Sequence, residues 1–198
     1  MPTIDSLEKL LTSELRDLLD AETRLTKSLP KLVKASSHEE LRSALESHLE
    51  ETHEHVTRVE KALKALGAPA KAKPCLGIRG ILDEANEHLQ EEYEDESVKD
   101  AMLIGGAQRA EHYEIAAYGT ALAHAKQLGF DPVVRLLEPT LEEEKAADER
   151  LSHIAERIVN TEAARNTEAG GDEMALAGAG RGGRSHASPR GNGRASRR

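Results

Sequence analysis

Residues 111–122 read Glu-His-Tyr-Glu-Ile-Ala-Ala-Tyr-Gly-Thr-Ala-Leu. At about 100° per residue, Glu111, Glu114 and Tyr118 fall on one helical face together with Ile104, Ala107 and Ala125, and His112 flanks it. A face made of Ile, Ala and Tyr packs inward. Two carboxylates therefore stand where an ionised group costs on the order of several kcal/mol to bury unless something neutralises it.

The same conflict recurs in three other long helical patterns. The first runs from about Thr3 or Asp5 to Ala35, with Asp5 or Ser6 as its cap. Its stripe is Leu7, Leu11, Leu15, Leu18, Glu22, Leu25, Leu29 and Leu32. The second starts near Ser37, with Ser37-His38-Glu39-Glu40 as its opening signal, and ends at Gly67-Ala68-Pro69. Leu41, Leu45, His48, Thr52, His55, Val59, Leu63 and Leu66 form its stripe, and Glu51 lies on the edge one turn from each histidine. The segment 111–122 belongs to the third, from about Ser97 to Gln127, which Gly129 stops. The fourth begins at Asp131-Pro132 and runs to about Asn160, with Leu137, Leu141, Glu144, Asp148, Leu151 and Ala155 on one face. Pro30 and Pro139 predict kinks in the first and fourth.

Short connections after the first and third helices make two antiparallel hairpins. The long stretch between them, with a loop at 67–74 and a short amphipathic helix over about Ile78 to Glu94, is enough to cross a bundle. An all-α, ferritin-like four-helix bundle with one long crossover carrying an extra short helix is the expected fold. Composition agrees: aromatics are 2 %, there is no Trp, and Leu and Ala must fill the core. Residues 1–165 are expected to form the bundle and 166–198 a disordered Gly/Ser/Arg-rich tail. From Met174 onward there are six arginines and no acid, so the body carries −15 against the chain's −9. An acidic body repels nucleic acid and attracts metal cations.

A single Glu in a stripe is usually a packed stem with a solvated head. Four at matched places, Glu22, Glu51, Glu114 and Glu144, call for a shared counter-charge, and a pair of metal ions supplies one. Hard cations such as iron(III) and manganese(II) prefer carboxylate oxygens and accept imidazole. In dinuclear carboxylate bundles two helices give a Glu and two give Glu-x-x-His. Here Glu51 has His48 three residues before it or His55 four after it, and Glu144 has Asp148 four after it. Either histidine could be the nitrogen ligand. Glu50 and His53, although they have the Glu-x-x-His form, point to another face. Inward acids at Glu111 and Asp148 complete the candidate set: Glu22, Glu51, His55, Glu111, Glu114, Glu144 and Asp148, with His48 as the competing imidazole. The run Glu142-Glu143-Glu144 is otherwise read as a solvated face, and Cys75 as an inert loop thiol.

Asp17–Leu25 (DLLDAETRL), 48–52 (HLEET), 98–108 (VKDAMLIGGAQ), 111–122 and 141–151 (LEEEKAADERL) resemble the YciE/YciF-like branch of the ferritin-like superfamily, in order and spacing over about residues 4–160. The resemblance implies a bacterial stress-associated protein with a ferritin-like core and a dinuclear metal site. Position by position it supports Glu22, Glu51, Glu114 and Glu144. It does not extend to the Arg-rich tail.

The expected function is a dimetal-carboxylate protein, with iron or else manganese, handling oxygen or peroxide in a ferroxidase- or peroxidase-like way. The rival is a metal-free helical stress protein whose basic tail makes weak nucleic-acid contact. No P-loop, dinucleotide or nucleophile-elbow fingerprint is present. No apolar run approaches a membrane span, and the opening MPTIDSLEKLL has no secretory pattern. A cytoplasmic homodimer without membrane contact is expected, and a lone cysteine fits that compartment.

Overall fold

The structure, a computed structural model, describes residues 3–165. Contacts divide the chain into two units, Met1–Ala163 and Ala164–Arg198. The expected tail at 166–198 lies outside the described residues.

Helices α1 (Leu7–Ala35), α2 (Glu39–Ala65), α4 (Glu96–Leu128) and α5 (Asp131–Ile154) form the bundle, and the short α3 (Leu76–His88) lies in the crossover. Ser6 caps α1 by accepting from the Lys9 amide at 3.2 Å. Gly129, at φ 70°, ends α4 in the left-handed conformation that glycine adopts without cost. Both prolines are carried inside unbroken helices, at exposed positions on α1 and α5. A carbonyl freed there can turn to water, so neither ends its helix. After α5 a π-helical turn, Ala155–Val159, continues the rod.

Two starts and stops differ from the sequence expectation. The α2 helix begins at Glu39, with the His38 imidazole accepting from the Glu40 amide at 3.2 Å. Ser37 is turned away: its hydroxyl donates to Asp100 on α4 at 2.6 Å. The α3 helix ends at His88, short of Glu94: Leu89 still packs against the core, but the Gln90-Glu91-Glu92 run that follows is exposed.

Helix α1 packs on α2 and α4, and α5 packs on the same two, while α3 lies against α4 and α1. The core is split. One apolar block holds Leu11, Leu15, Leu18, Val59, Leu63, Leu122, Leu137 and Leu141. The other holds Leu25, Leu29, Leu41, Leu45, Leu103, Ile104, Leu151 and Ile154. The α1 and α5 helices run one way between the blocks and α2 and α4 the other. The crossover at 66–95 therefore returns the chain along the whole bundle, the ferritin-like arrangement. It is fastened to α1, with the Lys73 amide on the Arg16 carbonyl at 2.9 Å and the Cys75 amide on Asp20 at 2.8 Å. Gly77 lies so close to the Tyr113 ring that a Cβ there would come within 2.5 Å of it. Among the described residues no helix is long and apolar enough to cross a membrane.

Candidate metal centre

Between the two apolar blocks every helix of the bundle interrupts its stripe. Glu22 on α1, His48, Thr52 and His55 on α2, Glu111 and Glu114 on α4, and Glu144 on α5 are all buried in this layer. Thr52 satisfies itself by donating to the His48 carbonyl at 2.7 Å. The acids and imidazoles do not. Glu22 Oε2, Glu111 Oε2, Glu114 Oε1, both Glu144 oxygens and the Nδ1 atoms of His48 and His55 are buried without a hydrogen-bond partner. Most buried polar groups are paired, so this many unpartnered atoms in one layer, most of them carboxylate oxygens turned inward, signal something that completes it.

The layer falls into two groups that share one residue. His48, Glu111, Glu114 and Glu144 bring one ligand atom each within 4.8 Å of one another, and so do Glu22, His55 and Glu144. Glu144 Oε1 lies 3.0 Å from His55 Nδ1, and Glu144 Oε2 lies 3.7 Å from His48 Nε2. His48 Nε2 is also 3.2 Å from Glu111 Oε1, and His55 Nδ1 is 3.6 Å from Glu22 Oε1. The Tyr118 hydroxyl, fully buried, donates to the same Glu22 oxygen.

Each imidazole has a carboxylate on its outward side. His55 Nε2 meets Glu143 Oε2 at 2.9 Å, and Glu143 is held in turn by Arg58, whose second nitrogen donates to Oε1 at 3.1 Å. His48 Nδ1 lies 3.5 Å from Glu51 Oε2. An outward carboxylate fixes which ring nitrogen carries the proton and frees the other as a lone pair.

Electrostatics follow from the crowding. Burial, and then the neighbouring carboxylates, push Glu111 and Glu114 well above the usual carboxylate range, and burial raises Glu22. Burial pulls the imidazoles down, but the acids around them win: His48 is pushed up to about 9 and His55 to about 11. Protons thus stand where a stronger Lewis acid would displace them.

Of the residues expected from sequence, Glu22, His55, Glu111, Glu114 and Glu144 meet in this layer, and the competing imidazole His48 joins them. Glu51 stands at its rim with a side chain 35 % exposed. Asp148 is drawn outward, accepting from Gln108 Nε2 at 3.0 Å and lying 3.3 Å from His112 Nε2. Ala147, one residue earlier, takes the buried place. Glu143 and Arg58 went unnoticed in the sequence. Glu143 belongs to a run of three acids that looks solvated in the sequence, and nothing local marks a half-buried acid whose partner comes from another helix. Cys75 is buried too, its sulfur 2.9 Å from the Tyr113 hydroxyl, which donates to Asp17 at 2.9 Å.

Known proteins agree with this architecture. The family described as a domain of unknown function, DUF892, matches residues 6–164. The chain is 42% identical over 159 residues to Protein YciF of Escherichia coli K12, covering 80% of this chain and 95% of that protein. A solved structure of the E. coli stress protein YciF superposes with a TM-score of 0.75 at 40% identity, covering 79% of this chain and 99% of that one. YcfI of Rhodopseudomonas palustris gives 0.73 at 42% identity, over 75% and 94%. A ferritin-like, diiron-carboxylate protein of Bacillus anthracis, 18% identical over 76% and 99%, shares the fold with a TM-score of 0.59. Helix order, crossover and the match over residues 6–164 together place this chain in the DUF892 family, beside YciF, on a ferritin-like fold.

Proposed function

We propose that this protein binds two metal ions in the polar layer of its bundle, with Glu144 shared between them, and uses them in the chemistry of oxygen or peroxide. The observation that carries this is the set of buried, unpartnered ligand atoms in two groups joined by Glu144. The donor set fits: four carboxylates with two imidazoles suit iron first and manganese second, and two divalent cations match the charge of four ionised glutamates. His48, Glu111, Glu114 and Glu144 would hold one ion, and Glu22, His55 and Glu144 the other. Glu51 then serves the outward nitrogen of His48, as Glu143 serves that of His55. Asp148 stays outside the ligand set.

A bound pair of iron or manganese ions supplies two one-electron equivalents, so that an oxidant is reduced without release of a radical. The chain's own residues set the conditions for that chemistry. Leu18, Val59 and Leu141 on one side, and Leu25, Leu45 and Leu151 on the other, exclude bulk water from the layer. Tyr118 holds one oxygen of Glu22 and leaves Oε2 free for a ligand role. The Glu143–Arg58 pair keeps the His55 ring turned with Nδ1 inward. A stress-related role accords with the likeness to the E. coli stress protein YciF, and a reducing cytoplasm suits the free thiol of Cys75.

Elemental analysis of the full-length protein, stripped with chelator and reloaded with iron(II) or manganese(II), tests the assignment. Two ions per chain are expected, and Glu144→Ala should lose both, because its carboxylate belongs to each group. Unchanged stoichiometry in Glu144→Ala would overturn the shared-ligand reading.

A further inference from the structure

The two groups of ligand atoms differ in their access to solvent. Glu22, His55 and Glu144 are fully buried, and Tyr118 seals the layer beside Glu22. On its outward side His55 is covered by Glu143 and the guanidinium of Arg58, a cation where an approaching metal ion would have to pass. His48 and Glu111 are placed differently. They stand at the floor of a small recess in the seam between α2 and α5, about 10 Å³ in volume, which is room for roughly one water. Ala44 and Ala147, both small and buried, line it. Glu51, 35 % exposed, and the exposed Arg150 stand at its mouth.

We infer that divalent cations reach the layer through this recess, and that the two ion positions are kinetically inequivalent as a result. This inference rests on the two-ion reading above. Glu51 captures the hydrated cation at the mouth. His48 and Glu111, with Glu114, receive it in the outer position. The inner position, at Glu22 and His55, fills and empties only across Glu144, the one residue common to both groups. Arg150 opposes cations at the mouth and limits the rate at which they are captured.

The test uses full-length, chelator-stripped protein mixed rapidly with cobalt(II), followed by its ligand-field absorption and then by challenge with excess EDTA. The wild type should take up two ions and release them in two phases separated by about tenfold or more, the slower one needing a local opening of the bundle. Ala147→Leu, which fills the recess, should slow uptake about tenfold while the final stoichiometry stays at two. Arg150→Glu, at an exposed position where folding is not at stake, should speed uptake about threefold at low ionic strength and lose that advantage at high salt. A wild type that binds fewer than two ions speaks against the two-ion reading itself. Two ions bound, with Arg150→Glu and a folded Ala147→Leu both taking them up at the wild-type rate, overturns the access route alone. Two ions released in a single phase overturn the inequivalence.

Discussion

His55 and Glu143 are 88 positions apart in the chain, yet Glu143 determines what His55 can do. Its carboxylate accepts a hydrogen bond from Nε2–H, and Arg58 holds it below the usual carboxylate range against the opposing pull of burial. An amide at 143 keeps the shape but loses both charge attractions, so the imidazole ring gains freedom and Nδ1 becomes a poorer donor. Glu143→Gln should therefore weaken metal affinity by about 10- to 100-fold. Glu142→Gln, at the exposed neighbour, should leave it unchanged. Competition titration against a coloured chelator measures both, and equal affinities in the two variants would remove Glu143 from the site. This residue also marks the limit of helical phase as a guide. Phase places Glu22, Glu111, Glu114 and Glu144 inward because they replace a Leu or Ala in a stripe. It places His48 and His55 on one line without choosing between them. A half-buried acid at the edge of a face, such as Glu143 or Asp148, takes its direction from a partner on another helix, and no local pattern encodes that.

Among the helices, local signals located the ends that are made locally. Ser6 and Gly129 act through their own side chain and φ angle: Ser6 is one of the two caps the sequence offers, although α1 starts at Leu7 rather than at Thr3 or Asp5, and Gly129 stops α4 as expected. The start of α2 is made at a distance. Asp100, fully buried on α4, accepts the Ser37 amide at 3.0 Å, the Ser37 hydroxyl at 2.6 Å and the His38 amide at 2.8 Å. It thus satisfies groups that α2 leaves open and ties the two hairpins together at one end of the bundle. Asp100→Ala should cost about 2–4 kcal/mol, because it strands several donors at once. His38→Ala removes a single exposed cap and should cost under about 1 kcal/mol. Urea denaturation of the metal-free protein gives both values. A loss in Asp100→Ala no larger than that in His38→Ala would show that Asp100 does not anchor the start of α2.

Across the whole molecule the polar layer cuts one core into two, and the protein gives up stability to keep it. The division was legible in the sequence as four stripes, each broken by an acid near its middle. The grouping into two sets around Glu144 was not, since it depends on how the hairpins face each other. Glu114 exposes the cost most directly. It is buried on α4 between the apolar blocks, has an unpartnered Oε1, and is raised well above the ordinary range by burial and then by Glu22, Glu144 and Glu111. Replacing it by Leu, which is similar in size, removes the stranded carboxylate and links the two blocks. Substituting apolar groups for buried charges is often stabilising by about 1–4 kcal/mol, so metal-free Glu114→Leu should unfold at higher urea than the metal-free wild type. Saturating metal reverses the order. A ligand at 100 times its Kd adds about 2.7 kcal/mol to the form that binds it, and the variant, short of one ligand, should gain much less. Denaturation curves of both proteins, with chelator and with excess manganese(II), should therefore cross in rank. A metal-free variant less stable than the wild type would mean that Glu114 is already compensated inside the apo bundle. The carboxylate layer would then be a structural network rather than a site held ready for cations.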